Sequence, residues 1–169
     1  MLSKKLQKLL NGQLNLELFS AYTYYAMSAY MDERSLDGFS HWMKLQAEEE
    51  LMHAQKIYSY LSDLGAKIEF LALEKPKQDF ESVLDAFETA LAHEKKLATE
   101  LNEISISAFE ERDNTTVSFL DWFLSEQVEE VAQTTTICDK LSLVGEDGHG
   151  ILLLNNELRD RKREESTAE

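Results

Sequence analysis

The sequence predicts an all-α protein, an antiparallel four-helix bundle with one long crossover and a short fifth helix at the C-terminus. Three observations predict it. Apolar residues recur every three to four positions through four segments of about 30 residues, each about 45 Å long as a helix. Among 169 residues there is one proline, Pro76, and three of the six glycines, Gly145, Gly148 and Gly150, crowd near the end, so little interrupts those segments. Two connections are short and one is long, the pattern of two hairpins joined by a crossover.

The first helix is expected from Lys4 to Asp32, with Leu10, Leu14, Ala21 and Met31 on one stripe and Glu17 and Tyr24 on that same stripe. Ser35 is the expected N-cap of a second helix to about Asp63, with Met43, Ile57 and Leu64 inward and Gly65 where a helix stops. Glu50 and His53 share its inward face. Residues 66–78, with Pro76, form the long connection. Asp79 or Ser82 then caps a third helix to Glu111, with Phe87, Leu91, Ala98 and Leu101 inward and Glu94 among them. The turn Arg112-Asp113-Asn114 opens a fourth helix to about Leu143, with Leu120, Phe123, Ile137 and Leu141 inward and Gln127 and Glu130 interrupting the stripe. A short fifth helix is expected from Ile151 to about Arg161, followed by a charged, frayed tail over about 162–169. A chain of this length fits one domain, 1–169, with a substantial core.

With 32 acidic against 17 basic residues, the formal charge of -15 disfavours nucleic acid or an anionic membrane surface as partner and favours attraction of cations. No segment approaches the apolar length of a membrane span. The single cysteine, Cys138, excludes an internal disulfide, and the chain starts on an amphipathic pattern without a signal-like apolar run, so the expected compartment is the cytoplasm.

The polar interruptions form a repeat. Glu17 to Glu50 is 33 positions and Glu17 to His53 is 36; Glu94 to Gln127 is again 33 and Glu94 to Glu130 again 36, an offset of 77 that also carries Glu49 onto Glu126. At the helical rise, Glu17 and Glu50 stand at similar heights from the turn that joins their helices, and the same holds for Glu94 and Glu130. Glu17, Glu50, His53, Glu94 and Glu130 are therefore expected at one level of the interior. Desolvating an unpaired charge costs several kcal/mol, and no lysine or arginine lies on these stripes at that level, so the cluster calls for metal ions. Carboxylate oxygens with one imidazole suit iron better than zinc, and Glu and His at i, i+3 face one ion from one helix. The second half reads Gln127-Val128-Glu129-Glu130, so E-x-x-H has become Q-x-x-E and the two metal positions are expected to be chemically unequal.

Over nearly its whole length the chain resembles the haem-free bacterial ferritins. The matching pieces are NLELFSAYTYY (Asn15 to Tyr25), QAEEELMHAQ (Gln46 to Gln55), HEK around Glu94, FLSEQVEE (Phe123 to Glu130) and DKLSLVG (Asp139 to Gly145). The resemblance implies a ferritin-like bundle with a di-iron ferroxidase centre. Glu17, Glu50 and His53 would ligate the first iron, Glu50 would bridge, and Glu94 with Glu130 would hold the second. It implies a third, accessory iron at Glu49, Glu126 and Glu129, Tyr24 as the tyrosine beside the centre, and Trp122 as a further electron donor. Oxidation of ferrous ion by O2 or H2O2 and storage of ferric mineral in a shell of 24 subunits follow from the same resemblance. Leu51 stands where a bacterioferritin-like chain carries its haem-ligating methionine, so no haem is expected. Val117 and Leu120 stand where animal ferritins line the three-fold channel with acids, which leaves the iron access route open.

Plainer readings accompany these roles. Glu49, Glu126 and Glu129 also fit a solvated helix face, Tyr24 a core tyrosine and Trp122 a packing residue, while Gln127 is expected to orient a ligand or water. His41, His93 and His149 are expected at the surface or in turns, and Cys138, Met27 and Met31 as apolar filler. Two rival functions remain: a di-iron oxidase or peroxidase of the rubrerythrin type without storage, which would ordinarily show a second E-x-x-H at Gln127 to Glu130, and a non-catalytic acidic bundle that binds a partner protein.

Overall fold

The structure, a computed structural model, describes residues 2–145 and 147–162, so the expected tail lies outside the described residues beyond Lys162. Among the described residues there are five helices and no strand: α1 (Lys4–Asp32), α2 (Asp37–Asp63), α3 (Val83–Glu110), α4 (Asn114–Val144) and α5 (Gly148–Arg159). α1 pairs with α2 and α3 with α4, α1 lies against α3, and α5 packs on α2 and α4.

The helix starts follow side-chain chemistry. Ser3, Ser82 and Asp113 accept from the backbone N–H of Leu6, Asp85 and Thr116, each satisfying a donor that the first turn leaves open. Ser35 does not cap α2. Its φ is 57°, and Leu36 N–H donates to Met31 O, so Ser35 closes α1 in a left-handed C-terminal turn. Gly65 and Arg112 end α2 and α3 in the same way, with Ala66 N–H on Leu61 O and Asp113 N–H on Ala108 O.

The fifth helix begins three residues earlier than its apolar pattern indicates, because Asp147 accepts from Gly150 N–H and caps it. A Cβ on Gly150 would stand 2.4 Å from Val144 Cγ1, so glycine there lets α5 turn tightly off the end of α4. Local packing thus outweighs glycine's poor helix propensity.

The crossover is held by two asparagines one helical turn apart on α1. Asn11 donates to Lys67 O and accepts from Glu69 N–H, at 2.9 and 2.7 Å, and Asn15 donates to Glu69 O and accepts from Leu71 N–H, both at 2.7 Å. These amides replace the partners that an extended segment lacks. Further along, Phe80 is buried edge-on to Tyr30 at 5.1 Å, so the connection spans most of the length of α1.

The apolar interior is in two parts. Leu6, Leu10 and Leu14 of α1 pack with Ile57, Leu61, Leu101, Leu120 and Phe123. Tyr24, Met27 and Met31 of the same helix pack with Phe39, Met43, Phe87, Ile137 and Leu141. Each of the four long helices passes from one cluster to the other across a polar layer. Leu64, Leu91 and Ala98, expected inward, are only half-buried.

Candidate metal centre

That layer contains the repeat. Glu17 and Glu50 are 1% and 0% exposed, His53 3%, Glu94 0% and Glu130 8%, one residue from each of three helices and two from α2. Two triads share one carboxylate: Glu17, Glu50 and His53 offer atoms all within 4.8 Å of one another, as do Glu50, Glu94 and Glu130. Ligands of one ion at bonds of about 2.1 Å stand roughly 3–4 Å apart, so each triad fits one cation and Glu50 lies between the two positions. His53 Nδ1 stands 3.4 Å from Glu50 Oε2 and 4.0 Å from Glu17 Oε2, and its Nε2 is 3.9 Å from Glu130 Oε1.

The electrostatics favour a positive occupant. Among the described residues, Glu17 Oε2, both oxygens of Glu50 and Glu130 Oε2 are buried without a hydrogen-bond partner. Burial pushes Glu17 above the usual carboxylate range and, with the neighbouring carboxylates, Glu50 and Glu130 well above it. Glu94 is pushed up to about 7 by burial, against hydrogen bonds from Tyr24 and Gln127 that pull it down. Burial and Lys56 hold His53 down at about 4, which leaves the imidazole neutral and able to ligate at neutral pH. Two divalent cations would satisfy the bare oxygens and replace the protons.

Around the triads sit residues that orient them. Gln13 Nε2 donates to Glu17 Oε1 at 2.7 Å and Gln46 Nε2 to Glu130 Oε1 at 3.1 Å. Gln127 Nε2 donates to Glu94 Oε2 at 2.6 Å and to Glu94 O at 3.2 Å, and the Tyr24 hydroxyl donates to Glu94 Oε1. Trp122 meets the His53 ring edge to face at 5.5 Å, with Lys56 Nζ 3.9 Å from the centre of its indole. Trp42, absent from the expected set, stacks edge to face on Tyr24 at 6.2 Å. Gln13 and Gln46 were legible in principle, since each lies four residues before a glutamate of the site on the same helix face.

Glu49, Glu126 and Glu129 border a cavity of about 20 Å³ beside the pair, but among the described residues they do not join a triad as tight as the other two. Glu49 is buried, Glu126 half-buried and Glu129 exposed. A cation from outside the inward stripes reaches this cavity: Arg161, just past α5, donates to Glu49 Oε2 at 2.7 Å. His93 and His41 depart from the expected surface or turn positions. Both are half-buried on helices, His93 with Nε2 2.5 Å from Ser20 Oγ, whereas His149 is exposed.

The family profile described as the ferritin-like domain matches residues 7–144. The chain belongs to the ferritin family. Over 165 residues it is 43% identical to a bacterial non-heme ferritin of Staphylococcus aureus strain MRSA252, covering 98% of this chain and 99% of that one. A bacterial non-heme ferritin of Staphylococcus haemolyticus is 41% identical over the same length. Among solved structures, the open-pore ferritin of Archaeoglobus fulgidus superposes with a TM-score of 0.94 at 41% identity, covering 96% of this chain and all of that one. This ferritin is thus of the haem-free bacterial type, with the four-helix bundle and short C-terminal helix of its structural neighbours.

Proposed function

We propose that this ferritin oxidises ferrous ion at the buried pair and stores the ferric product as mineral inside a shell of 24 copies in the cytoplasm. The observation that carries the reading is the shared-carboxylate pair of triads with four bare, buried oxygens. Ferrous ion is the substrate. Two ferrous ions give up one electron each, reducing O2 to H2O2, or H2O2 to two waters, with two protons taken up. Glu17, Glu50 and His53 hold one ion and Glu50, Glu94 and Glu130 the other, and the protons their carboxyls carry leave as metal binds. Gln13, Gln46 and Gln127 fix ligand orientation, and the acid-rich set favours the ferric state. When O2 is reduced by four electrons to two waters with four protons taken up, the two irons supply two electrons, a third iron at the accessory position of Glu49, Glu126 and Glu129 a further one, and Tyr24, in hydrogen-bond contact with Glu94, the last. No haem takes part.

Assembly is supported by apolar side chains left outside the bundle. Phe70 and Leu71 on the crossover, Phe109 and Val128 on helix exteriors, and Leu152 and Leu153 on α5 are all more than half exposed. A closed shell buries such patches with point-group symmetry. No helix of the described residues is long and apolar enough to cross a membrane, and the charge of -15 repels nucleic acid while drawing cations inward. Aerobic loading followed by light scattering and iron analysis tests the reading. The expected result is a particle of about 24 chains, as in shell-forming ferritins, with iron far above two atoms per chain. A monomer or dimer that stops at two irons overturns storage in favour of a di-iron oxidase.

A further inference from the structure

The C-terminal helix ends at the rim of the accessory cavity, and its placement there is firm. Asn155 Oδ1 accepts from Gly38 N–H at 2.9 Å and Phe39 N–H at 3.1 Å, supplying the start of α2 with the cap that Leu36 cannot offer. Arg159 pairs with Asp37 at 2.6 Å, and Lys140 of α4 with Glu157. The next residues run along α2, where His41 Nε2 donates to Arg161 O at 2.9 Å.

The Arg161 side chain then turns inward. Its guanidinium donates to Trp42 O at 3.4 Å, Gln46 Oε1 at 3.0 Å and Glu49 Oε2 at 2.7 Å, with its carbon 4.7 Å from the centre of the Trp42 ring. The ion-paired side chains of Arg161 and Glu49 are 13% and 11% exposed, shielded far better than an ordinary surface pair. Gln46 passes the contact on: its Oε1 accepts from Arg161 while its Nε2 donates to Glu130 Oε1. A line of hydrogen bonds therefore joins the end of α5 to a carboxylate of the pair. The cavity under the guanidinium, bordered by His53, Glu49, Glu126, Glu129 and Glu130, has about 20 Å³, room for one water or one bare cation.

We propose that Arg161 is a tethered cation of the accessory metal position, competing with a third ion for Glu49 and, through Gln46, fixing the orientation of Glu130. The proposal rests on the reading of the site as a metal centre. Arginine stays protonated at every working pH, so the competition is set by geometry rather than by titration. An ion that takes Glu49 must displace the guanidinium or share the carboxylate with it, so the accessory position binds more weakly than the pair. Because the residue is delivered by α5, docking of that helix on α2 governs access to the position.

Anaerobic titration of the metal-free assembled protein with ferrous ion, followed by calorimetry, reads binding without oxidation. The expected result for the unaltered chain is two tight ions per chain and a weaker third. Arg161→Ala and Arg161→Gln tighten the third ion by about tenfold or more by removing a buried competing charge, while Arg161→Lys, which keeps the charge, stays within about threefold of the unaltered chain. A third-ion affinity unchanged in both Arg161→Ala and Arg161→Gln, with two tight ions retained, overturns the proposal and leaves Arg161 as a staple for α5. If the unaltered chain binds no tight pair, the metal-centre reading fails and this proposal falls with it. Arg161→Lys separates charge from helix docking should the neutral variants assemble poorly: a third ion tightened tenfold by lysine also counts against a role for charge.

Discussion

The Tyr24 hydroxyl donates to Glu94 Oε1, while the other oxygen of that carboxylate is held by Gln127 at 2.6 Å. Tyr24 and Glu94 are 1% and 0% exposed, so the bond joins two groups that water cannot serve. α1, α3 and α4 meet in that carboxylate, which couples the Glu50, Glu94 and Glu130 triad to the ring contact of Tyr24 with Trp42.

Tyr24→Phe removes one of the two donors that hold the Glu94 pKa down at about 7. The carboxyl is then pushed higher, and the pH midpoint for metal binding moves to the alkaline side. The metal-free protein loses about 1–2 kcal/mol, the cost of leaving a buried acceptor unserved. Metal titrations across pH check the shift, and an unmoved midpoint would mean that the bond does not act on the site.

His53→Ala takes the only nitrogen from the two triads, and the side chain is 3% exposed, away from any outer patch. Rapid ferrous oxidation at two irons per chain is expected to slow by about a hundredfold, beyond the cost typical of an outer partner, with the assembly intact. Stopped-flow absorbance gives the rate and light scattering the size. An unchanged initial rate removes His53 from the mechanism.

The site also sets a pH dependence. Burial lifts Glu17, Glu50, Glu94 and Glu130 above the ordinary value of 4.5, Glu94 to about 7. Above pH about 4.5 the folded metal-free chain therefore holds more protons than the unfolded one, so its stability falls as pH rises through the raised values. His53 and His93, held at about 4 against 6.5, act in the opposite sense between those values, two groups against four. Urea midpoints of the metal-free protein are expected to drop between about pH 7.5 and 9, above the range in which the unfolded histidines still lose protons, and zinc is expected to cancel most of the drop. A midpoint that rises over that interval contradicts the assignment of buried, proton-holding carboxylates.

Gly38→Ala tests the docking of α5. The added Cβ would lie 1.7 Å from Asn155 O, a backbone atom that cannot swing aside. Overpacking of this kind costs about 1–3 kcal/mol, here by pushing α5 off the start of α2. Limited proteolysis is expected to trim the C-terminus faster than in the unaltered chain, and equal rates would show that the two helices separate without consequence.

Much of this molecule is readable from local pattern. A helical period is a property of neighbouring residues, so the four long helices, the crossover and the polar interruptions at Glu17, Glu50, His53, Glu94 and Glu130 all show in the sequence. Two errors fall where a backbone feature had two local solutions. Ser35 fits an N-cap by composition, yet the chain uses it to close α1; Gly148 and Gly150 read as a break, yet Asp147 caps a helix through them.

By itself the sequence determined the fold class and the level shared by Glu17, Glu50, His53, Glu94 and Glu130, because helix rise and periodicity convert position directly into height and face, while the family showed in its motifs. Only the tertiary structure decided what each of those residues touches. That Tyr24 and Gln127 divide the oxygens of Glu94, and that Trp42 lies against Tyr24 and Trp122 against His53, depends on the axial rotation and offset of packed helices. Arg161 is the extreme case, since it reaches Glu49 across 112 residues of chain by way of a turn and a short helix whose direction no period encodes. Long-range partners of this kind are set by packing and loop paths, which are properties of the whole molecule rather than of any segment.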